Sequence, residues 1–415
     1  MEKMKYTLRP YQELAIEKLT WAMTMPGNDV ISIAQGGGKS LIIADFVHRT
    51  SKPALILSPT REILKQNMDK LLTYVPPVEV GVYSASMSRK DLGFFTFATI
   101  GSIYKKPEVF KDFNLAIVDE CDLVPTKKMN SMYNKFFKAA NIKKVIGFTG
   151  TPFRQDTYYE EPPWGWEEHR RRKAQGRITP LKVVTTTKMI TRYADGFWQR
   201  MLYVLNTDQL MEEGYLSPLK YVDRTLIGHN DLKLNKSESE FDLEDYEEKI
   251  SEKYNNILRT VAWAYENRDN VLVFCTSIKQ ANLLSGYFKD SAVVTSETKK
   301  RERNKIIKNF KEGKIKIVFN VSVLTVGFDF PELNTIILLR PTRSLRLHLQ
   351  ILGRGTRIHK DKDHCLVIDL AGNVGSLGKL EEIRVTKVDG KWDVVSPSQP
   401  EGFHNKPLFS FYLQQ

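Results

Sequence analysis

The sequence predicts an α/β chain built from two tandem parallel-sheet domains, and three observations carry that prediction. The first is rhythm: short apolar, β-branched runs ending in polar or glycine residues alternate with amphipathic stretches, as βαβ units require. The second is that the rhythm occurs twice, in separate halves of the chain. The third is length, since 415 residues with 41% hydrophobic and 27% charged side chains suit two globular cores of about 200 residues each.

Taken in order, the first half offers strands at DVISIA (29–34), PALILSP (53–59), FFTFATIGS (94–102), FNLAIVDE (113–120) and KKVIGFTG (143–150). Helices fall between them at KSLIIADFVHRT (39–50) and TREILKQNMDKLLTYV (60–75). Continuous apolar strands of this kind suit the buried centre of a parallel sheet. The second half repeats the pattern at NVLVFCTS (270–277), SAVVTS (291–296), IKIVFNVS (315–322), NTIILLRP (334–341) and HCLVIDLAG (364–372), separated by helical stretches. No short tandem repeat is visible, so the duplication is architectural.

These patterns set a first domain at 1–206, a linker and acidic loop at 207–252, and a second domain at 253–415. Within the first domain, about 154–206 reads as an insertion, because the prolines and glycines of YYEEPPWGWEEHRRRKAQGR break regular structure. The stretch 229–252 is acidic with few aliphatic clusters, and reads as a solvated loop leading into a helix around Tyr254 to Tyr265. Near the end, the Asp-Gly of VTKVDGKWDVV between alternating segments predicts a hairpin.

A net charge of +13 favours polyanion partners through counterion release, although a solubilising surface has the same charge. Cys121, Cys275 and Cys365 lie far apart without a CxxC pair, which argues against a disulfide framework or a zinc site and for small buried side chains in a reducing compartment. The N-terminal segment has no apolar core before a cleavage site, and no run of eighteen apolar residues occurs. The expectation is a cytoplasmic protein, mature as written and without membrane contact.

Chemistry concentrates first in VISIAQGGGKSLIIADF, where a glycine-rich turn joins a strand to a helix. Gly36, Gly37 and Gly38 let backbone N–H groups approach phosphates, Lys39 reaches the β- and γ-phosphates of ATP, and Ser40 ligates Mg2+. The first glycine of the usual pattern is replaced by Ile33. The strand FNLAIVDECD ends in Asp119 and Glu120, carboxylates leaving an apolar run and therefore in need of a purpose. The expectation is that Asp119 holds Mg2+ through water and Glu120 orients or deprotonates the attacking water, the alternative being an acid pair that caps a strand end.

With these residues in this order, the chain resembles the DEAD/DEAH-like superfamily-two helicases over nearly its whole length. The resemblance implies two RecA-like domains with an ATP cleft between them. Arg9, Tyr11 and Gln12 of LRPYQ look like the adenine-recognising segment. Pro59, Thr60 and Arg61, with Thr99, Gly101 and Ser102, look like nucleic-acid backbone contacts, and Thr149, Gly150 and Thr151 look like the motif that couples hydrolysis to domain closure. In the second domain, Thr276 and Thr325 correspond to strand contacts, while Gly327 and Asp329 face the nucleotide. QILGRGTR places Gln350 near the γ-phosphate and makes Arg354 and Arg357 fingers from the opposite domain. One polypeptide then supplies a complete site, so a monomer suffices for hydrolysis.

LRPYQ, TIGS, FTGTP and LQILGRGTR are most similar to the DNA-directed branch that includes RadD, UvsW and the XPB group, in a compact phage-type form. DNA, single-stranded, forked or branched, is the expected partner, with strand separation or branch remodelling in replication, recombination or repair as the work. The alternatives are an RNA helicase with the same engine, a nucleotide-gated clamp and a restriction-type translocase subunit. Trp164, Trp166, His169, Arg170, Arg171, Arg172, Lys173 and Arg177 of the insertion combine stacking surfaces with cations. They suit a wedge on nucleic acid or an amphipathic cap over the domain equally.

Overall fold

The structure, a computed structural model, describes residues 6–125, 131–177, 181–193, 196–235, 239–324, 330–397 and 409–412. Among these, the first sheet takes in β1 (Asp29–Ile33), β2 (Ala54–Leu57), β3 (Val80–Ser84), β4 (Arg89–Asp91), β5 (Phe95–Ala98), β6 (Leu115–Asp119) and β7 (Lys144–Thr149). The chain then passes through β8 (Phe153–Tyr159) and β9 (Lys182–Met189) before β10 (Arg200–Leu205) returns to that sheet. The strand order is β10-β1-β7-β6-β2-β5-β3-β4, parallel throughout except where β4 meets β3. β1, β2, β5, β6 and β7 are buried along their whole length, as their unbroken apolar runs require.

The second sheet contains β11 (Leu219–Asp223), β12 (Val271–Phe274), β13 (Ser291–Val294), β14 (Ile317–Asn320), β15 (Thr335–Leu338) and β16 (Cys365–Asp369). Its order is β11-β16-β15-β12-β14-β13, with every pairing parallel. The predicted hairpin is present as β17 (Arg384–Val388) and β18 (Lys391–Val395). Asp389 and Gly390 between them both have positive φ, +49° and +74°, as a tight Asp-Gly turn demands. β19 (Phe409–Tyr412) pairs antiparallel with β9 in a small sheet of order β19-β9-β8.

Two compact units result, Met1–Arg154 with Met189–Leu210, and Gln155–Lys188 with Met211–Gln415. Three boundaries differ from the sequence reading. β10 is an edge strand of the first sheet, anchored because Arg200 Nε and Lys144 Nζ converge on buried Asp29 at 2.6 and 2.5 Å. Residues 155–188 group with the second unit, and β9 among them takes β19 as its neighbour. The region assigned to a linker and solvated loop supplies β11 to the second sheet and a helix, Leu243–Ser251, whose Tyr246 is fully buried. The insertion itself contains a helix, Gly165–Ala174, with Glu167 and Glu168 in its first turn and Arg171, Arg172 and Lys173 in its last, the polarity its dipole favours. No described helix is long and apolar enough to cross a membrane.

Candidate active site

The carboxyl ends of β1, β6 and β7 bring the sequence-predicted residues of the first unit together. Ser32 of β1 lies opposite Thr149 of β7, and Phe148 of β7 opposite Asp119 of β6. Crevices at the carboxyl ends of parallel strands are where ligands of such sheets bind. From β1 the chain turns through 34–38 into the helix Lys39–Thr50, with Gly38 at φ +79° as its N-cap. A Cβ on Gly38 would stand 2.5 Å from Gln12 Nε2, and one on Gly37 would stand 2.6 Å from Ile33 Cγ2. A side chain at Gly38 would be strained by its positive φ and one at Gly37 would press on Ile33, and the first helical N–H groups can reach an anion.

Lys39 Nζ donates to Ile33 O at 3.3 Å, and a Cβ added at Gly150 would approach that ammonium to 3.4 Å. The TGT loop thus stands beside the lysine. Tyr11 and Gln12 brace the turn from the first helix, Pro10–Ala22: the Tyr11 hydroxyl donates to Gly37 O at 3.1 Å and receives Arg9 Nη1 at 3.2 Å. Gln12 Oε1 accepts Arg9 N at 2.9 Å, closing a capping box at the start of that helix.

Asp119 is buried, and its carboxyl is pushed upward in pKa chiefly by desolvation, against the opposing pull of Lys39 and of the Asn67 amide. Asn67 Nδ2 donates to Asp119 Oδ2 at 2.7 Å, and Glu120 N donates to Oδ1 at 3.0 Å. Glu120 itself has φ +52°, a conformation uncommon for residues with a side chain. Asp122 accepts the Thr149 hydroxyl at 2.7 Å, and the same oxygen of Thr149 accepts Thr151 N at 3.0 Å. Asn67 and Asp122 were missed as partners; DECD displayed Asp122 in the sequence, whereas nothing local distinguishes Asn67.

Pro59, Thr60 and Arg61 leave the end of β2, where Thr60 caps the helix Arg61–Leu71 by accepting Ile63 N at 3.3 Å and Arg61 Nη1 donates to Ser86 O at 2.8 Å. Thr99 and Ser102 share a hydrogen bond of 2.9 Å after β5, and a Cβ on exposed Gly101 would meet open space. In the insertion, the Arg172 guanidinium lies 4.4 Å from the centre of the Trp164 ring and Nε donates to Glu168 at 3.1 Å. Trp166 meets buried His169 edge-on. Arg170, Arg171, Lys173 and Arg177 are exposed, as is Trp164, so the predicted cations divide into Arg172, held by Trp164 and Glu168, and an outer group.

In the second unit, Gln350 is buried in the helix Leu345–Leu352, which Ser344 caps by accepting Leu347 N at 3.2 Å. Arg354 and Arg357 occupy the turn that follows, both partly exposed. Lys362 holds that turn by donating to Gly355 O at 3.1 Å and Pro331 O at 2.8 Å, and burial lowers its pKa. Thr276, expected to touch the strand, is buried, and its hydroxyl donates to Leu339 O at 3.1 Å. Thr325, Gly327 and Asp329 lie outside the described residues. Glu240, placed by the sequence in a solvated loop, instead accepts the Thr342 hydroxyl at 2.7 Å and Arg343 N at 2.6 Å.

Among the described residues no group of three or more His, Cys, Asp or Glu side chains could hold a metal unaided. One buried carboxylate, Asp119, with Ser40 at the helix start does fit Mg2+, which commonly takes one or two carboxylates and completes its shell with phosphate oxygens and water. Together these groups can receive a polyphosphate, hold its charge and place a carboxylate near it.

Two family models match the chain: Type III restriction enzyme, res subunit, over residues 5–154, and Helicase conserved C-terminal domain, over residues 252–359. The chain is similar to the putative ATP-dependent helicase IRC3 of Saccharomyces cerevisiae, 27% identical over 388 residues that make up 88% of this chain and 51% of that protein. It is also similar to the DNA 3'-5' translocase XPB2 of Sulfurisphaera tokodaii, 26% identical over 388 residues, 88% of this chain and 82% of the relative. The chain thus spans about half the length of the yeast relative. Among solved structures, the fragment of a putative HsdR subunit of a type I restriction enzyme from Vibrio vulnificus YJ016 shares the fold at a TM-score of 0.64, with 18% identity, over 91% of this chain and 67% of that one.

Proposed function

The chain belongs to the DEAD/DEAH-like superfamily-two helicases, whose XPB-like branch fits it, and from that premise we propose an ATP-driven translocase or helicase acting on DNA. The observation that carries the proposal is the convergence of the Gly36–Ser40 turn, Asp119 and the Thr149–Thr151 loop at the ends of three adjacent strands.

In the proposed reaction, backbone N–H groups of the turn and Lys39 bind the phosphates, while Arg9, Tyr11 and Gln12 take the adenine side. Glu120 orients the attacking water and accepts its proton. Asp119 and Ser40 would hold Mg2+, which when bound neutralises charge on the phosphate oxygens. Gln350, Arg354 and Arg357, with Gly327 and Asp329, are assigned to the same nucleotide, because guanidinium groups stabilise charge that develops only in the transition state. The Thr149–Asp122 bond joins the acidic turn to the TGT loop, which suits a device that passes the phosphate state to the rest of the unit.

For the polymer, the loops at Pro59–Arg61 and Thr99–Ser102, Thr325, and the outer cations of the insertion, residues 155–188 with the helix Gly165–Ala174, a basic arm, are assigned to phosphates. Such contacts read no bases, so the preference would be for structure, a fork or a branch, in replication, recombination or repair. The relative named a DNA 3'-5' translocase supports DNA. A restriction-type translocase subunit is the second reading, favoured by the res-subunit match over residues 5–154.

Steady-state ATP hydrolysis by wild type and Lys39→Ala tests the proposal, without polymer and with single-stranded DNA, forked DNA or single-stranded RNA. The expected result is turnover stimulated most by DNA and lowered at least about a hundredfold by the substitution. Preferential stimulation by RNA would overturn the polymer assignment. No turnover under any condition would leave a nucleotide-gated clamp.

A further inference from the structure

Two adjacent residues, Ser239 and Glu240, join the basic arm to the start of the Gln350 helix. The residues on either side are tied together: Leu234 and Phe241 form an antiparallel bridge, Asn235 N donates to Glu240 O at 2.9 Å, and Asp242 N donates to Lys233 O at 2.9 Å. Phe241 is buried in the core beside Tyr246, and Asp242 caps the helix Leu243–Ser251. From this base, Ser239 O accepts Gln155 Nε2 of β8 at 2.7 Å. Glu240, the next residue, accepts the Thr342 hydroxyl on Oε2 at 2.7 Å and Arg343 N on Oε1 at 2.6 Å.

The loop so held leads directly into the helix that carries Gln350. Thr342 Oγ1 also accepts Ser344 N at 3.0 Å, and Ser344 caps the helix through Leu347 N. Asn373 Oδ1 accepts Thr342 N at 2.9 Å from the opposite side of the sequence. Hydrogen bonds to an ionised carboxylate are shorter and stronger than neutral ones. Among the described residues no lysine or arginine side chain pairs with Glu240, so its carboxylate serves the loop rather than a surface ion pair.

We propose that Glu240 is a positioning residue for the helix and turn bearing Gln350, Arg354 and Arg357, and that the Gln155–Ser239 bond links it to the arm, so that nucleic acid on the arm raises the rate of ATP hydrolysis. The proposal rests on the ATPase reading above. Interactions made mainly in the transition state govern kcat, so a loosened loop lowers kcat and spares the KM for ATP.

The test compares Glu240→Ala, Glu240→Gln and Gln155→Ala in the full chain, by ATP hydrolysis with and without single-stranded DNA and by amide hydrogen exchange over residues 342–350. Glu240→Ala is expected to lower kcat about tenfold with KM changed less than about twofold. Glu240→Gln keeps most of the rate, because its amide oxygen accepts Arg343 N–H and its amide nitrogen donates to Thr342. Gln155→Ala keeps the DNA-free rate and loses about half or more of the stimulation by DNA. Exchange at Arg343 and in the first turn of the helix quickens in Glu240→Ala and not in Glu240→Gln.

Wild-type kcat in Glu240→Ala, or equal losses in the alanine and glutamine variants, overturns the positioning role. Full stimulation in Gln155→Ala overturns the link to the arm. If wild type hydrolyses no ATP, the functional reading fails by itself, and the exchange rates still decide whether Glu240 holds the loop: an unchanged pattern in Glu240→Ala rejects it.

Discussion

Asn67 holds the buried Asp119 carboxylate from a helix whose sequence is otherwise unremarkable, and its removal has two separable consequences. Asn67→Ala strips a buried acceptor of its donor, which costs about 1–3 kcal/mol of stability. It also removes one of the groups that hold the Asp119 pKa down, so that pKa rises further above its ordinary value. The acid limb of the pH–rate profile for kcat/KM is then expected to move to higher pH, together with a lower melting temperature; an unmoved limb would detach Asn67 from the titration of Asp119. The placement of Lys39 and Ser40 at a helix start and of Asp119 at a strand end was legible in the sequence, because a glycine-rich turn after one apolar run and an acid at the end of another mark those places. Asn67 and Glu240 were not, because their roles consist of whom they face across the fold, and spacing along one chain carries no record of that. Thr276 shows the converse: a residue type matching a motif, turned into the core by its hydrogen bond to Leu339.

At the scale of elements, the central strands were readable as unbroken apolar runs, while the edges were not. β10 and β11 mix a few buried positions with partly or fully exposed ones and contain Arg200, Lys220 and Asp223, so they lack the run that marks a strand buried on both faces. The acidic stretch before residue 252 was misread because its apolar side chains are spread thinly, yet Leu232, Phe241, Tyr246 and Ile250 among them are buried. The arm divides its charges: Arg172 is committed to Trp164 and Glu168, whereas Arg170, Arg171 and Lys173 are exposed. Replacing these three outer cations by alanine is expected to weaken single-stranded DNA binding and to reduce the slope of log affinity against log salt by about two to three. ATP hydrolysis without DNA should stay at the wild-type rate. An unchanged salt slope would assign the arm to packing.

For the whole molecule, two buried histidines of the second unit predict how stability responds to acid. Burial lowers His348 and His229 to about 4 from an ordinary 6.5. His348 Nε2 donates to Gly378 O at 2.8 Å, and buried Nδ1 has no hydrogen-bond partner among the described residues, so a second proton would be stranded. With folded pKa values below the unfolded one, their contribution is present above pH 6.5 and is lost as pH falls toward 4, on the order of 3 kcal/mol per histidine. Asp369, raised to about 6 by burial, acts in the opposite sense and offsets part of this loss below pH 6. The denaturation midpoint of the second unit should therefore fall between about pH 7 and about pH 5, and His348→Gln should flatten the fall. A midpoint independent of pH would contradict the buried neutral state of both rings. The pairing of β9 with β19 bears on another matter, the order in which the protein is made. A ribosome delivers the first sheet complete once Leu205 has emerged, but the arm waits for Phe409–Tyr412, so it stays one strand short while almost all of the second unit is synthesised. The strand-forming edge of β9 is thus exposed longest in the nascent chain, and is the place where chaperones or misplaced partners have the most time to act.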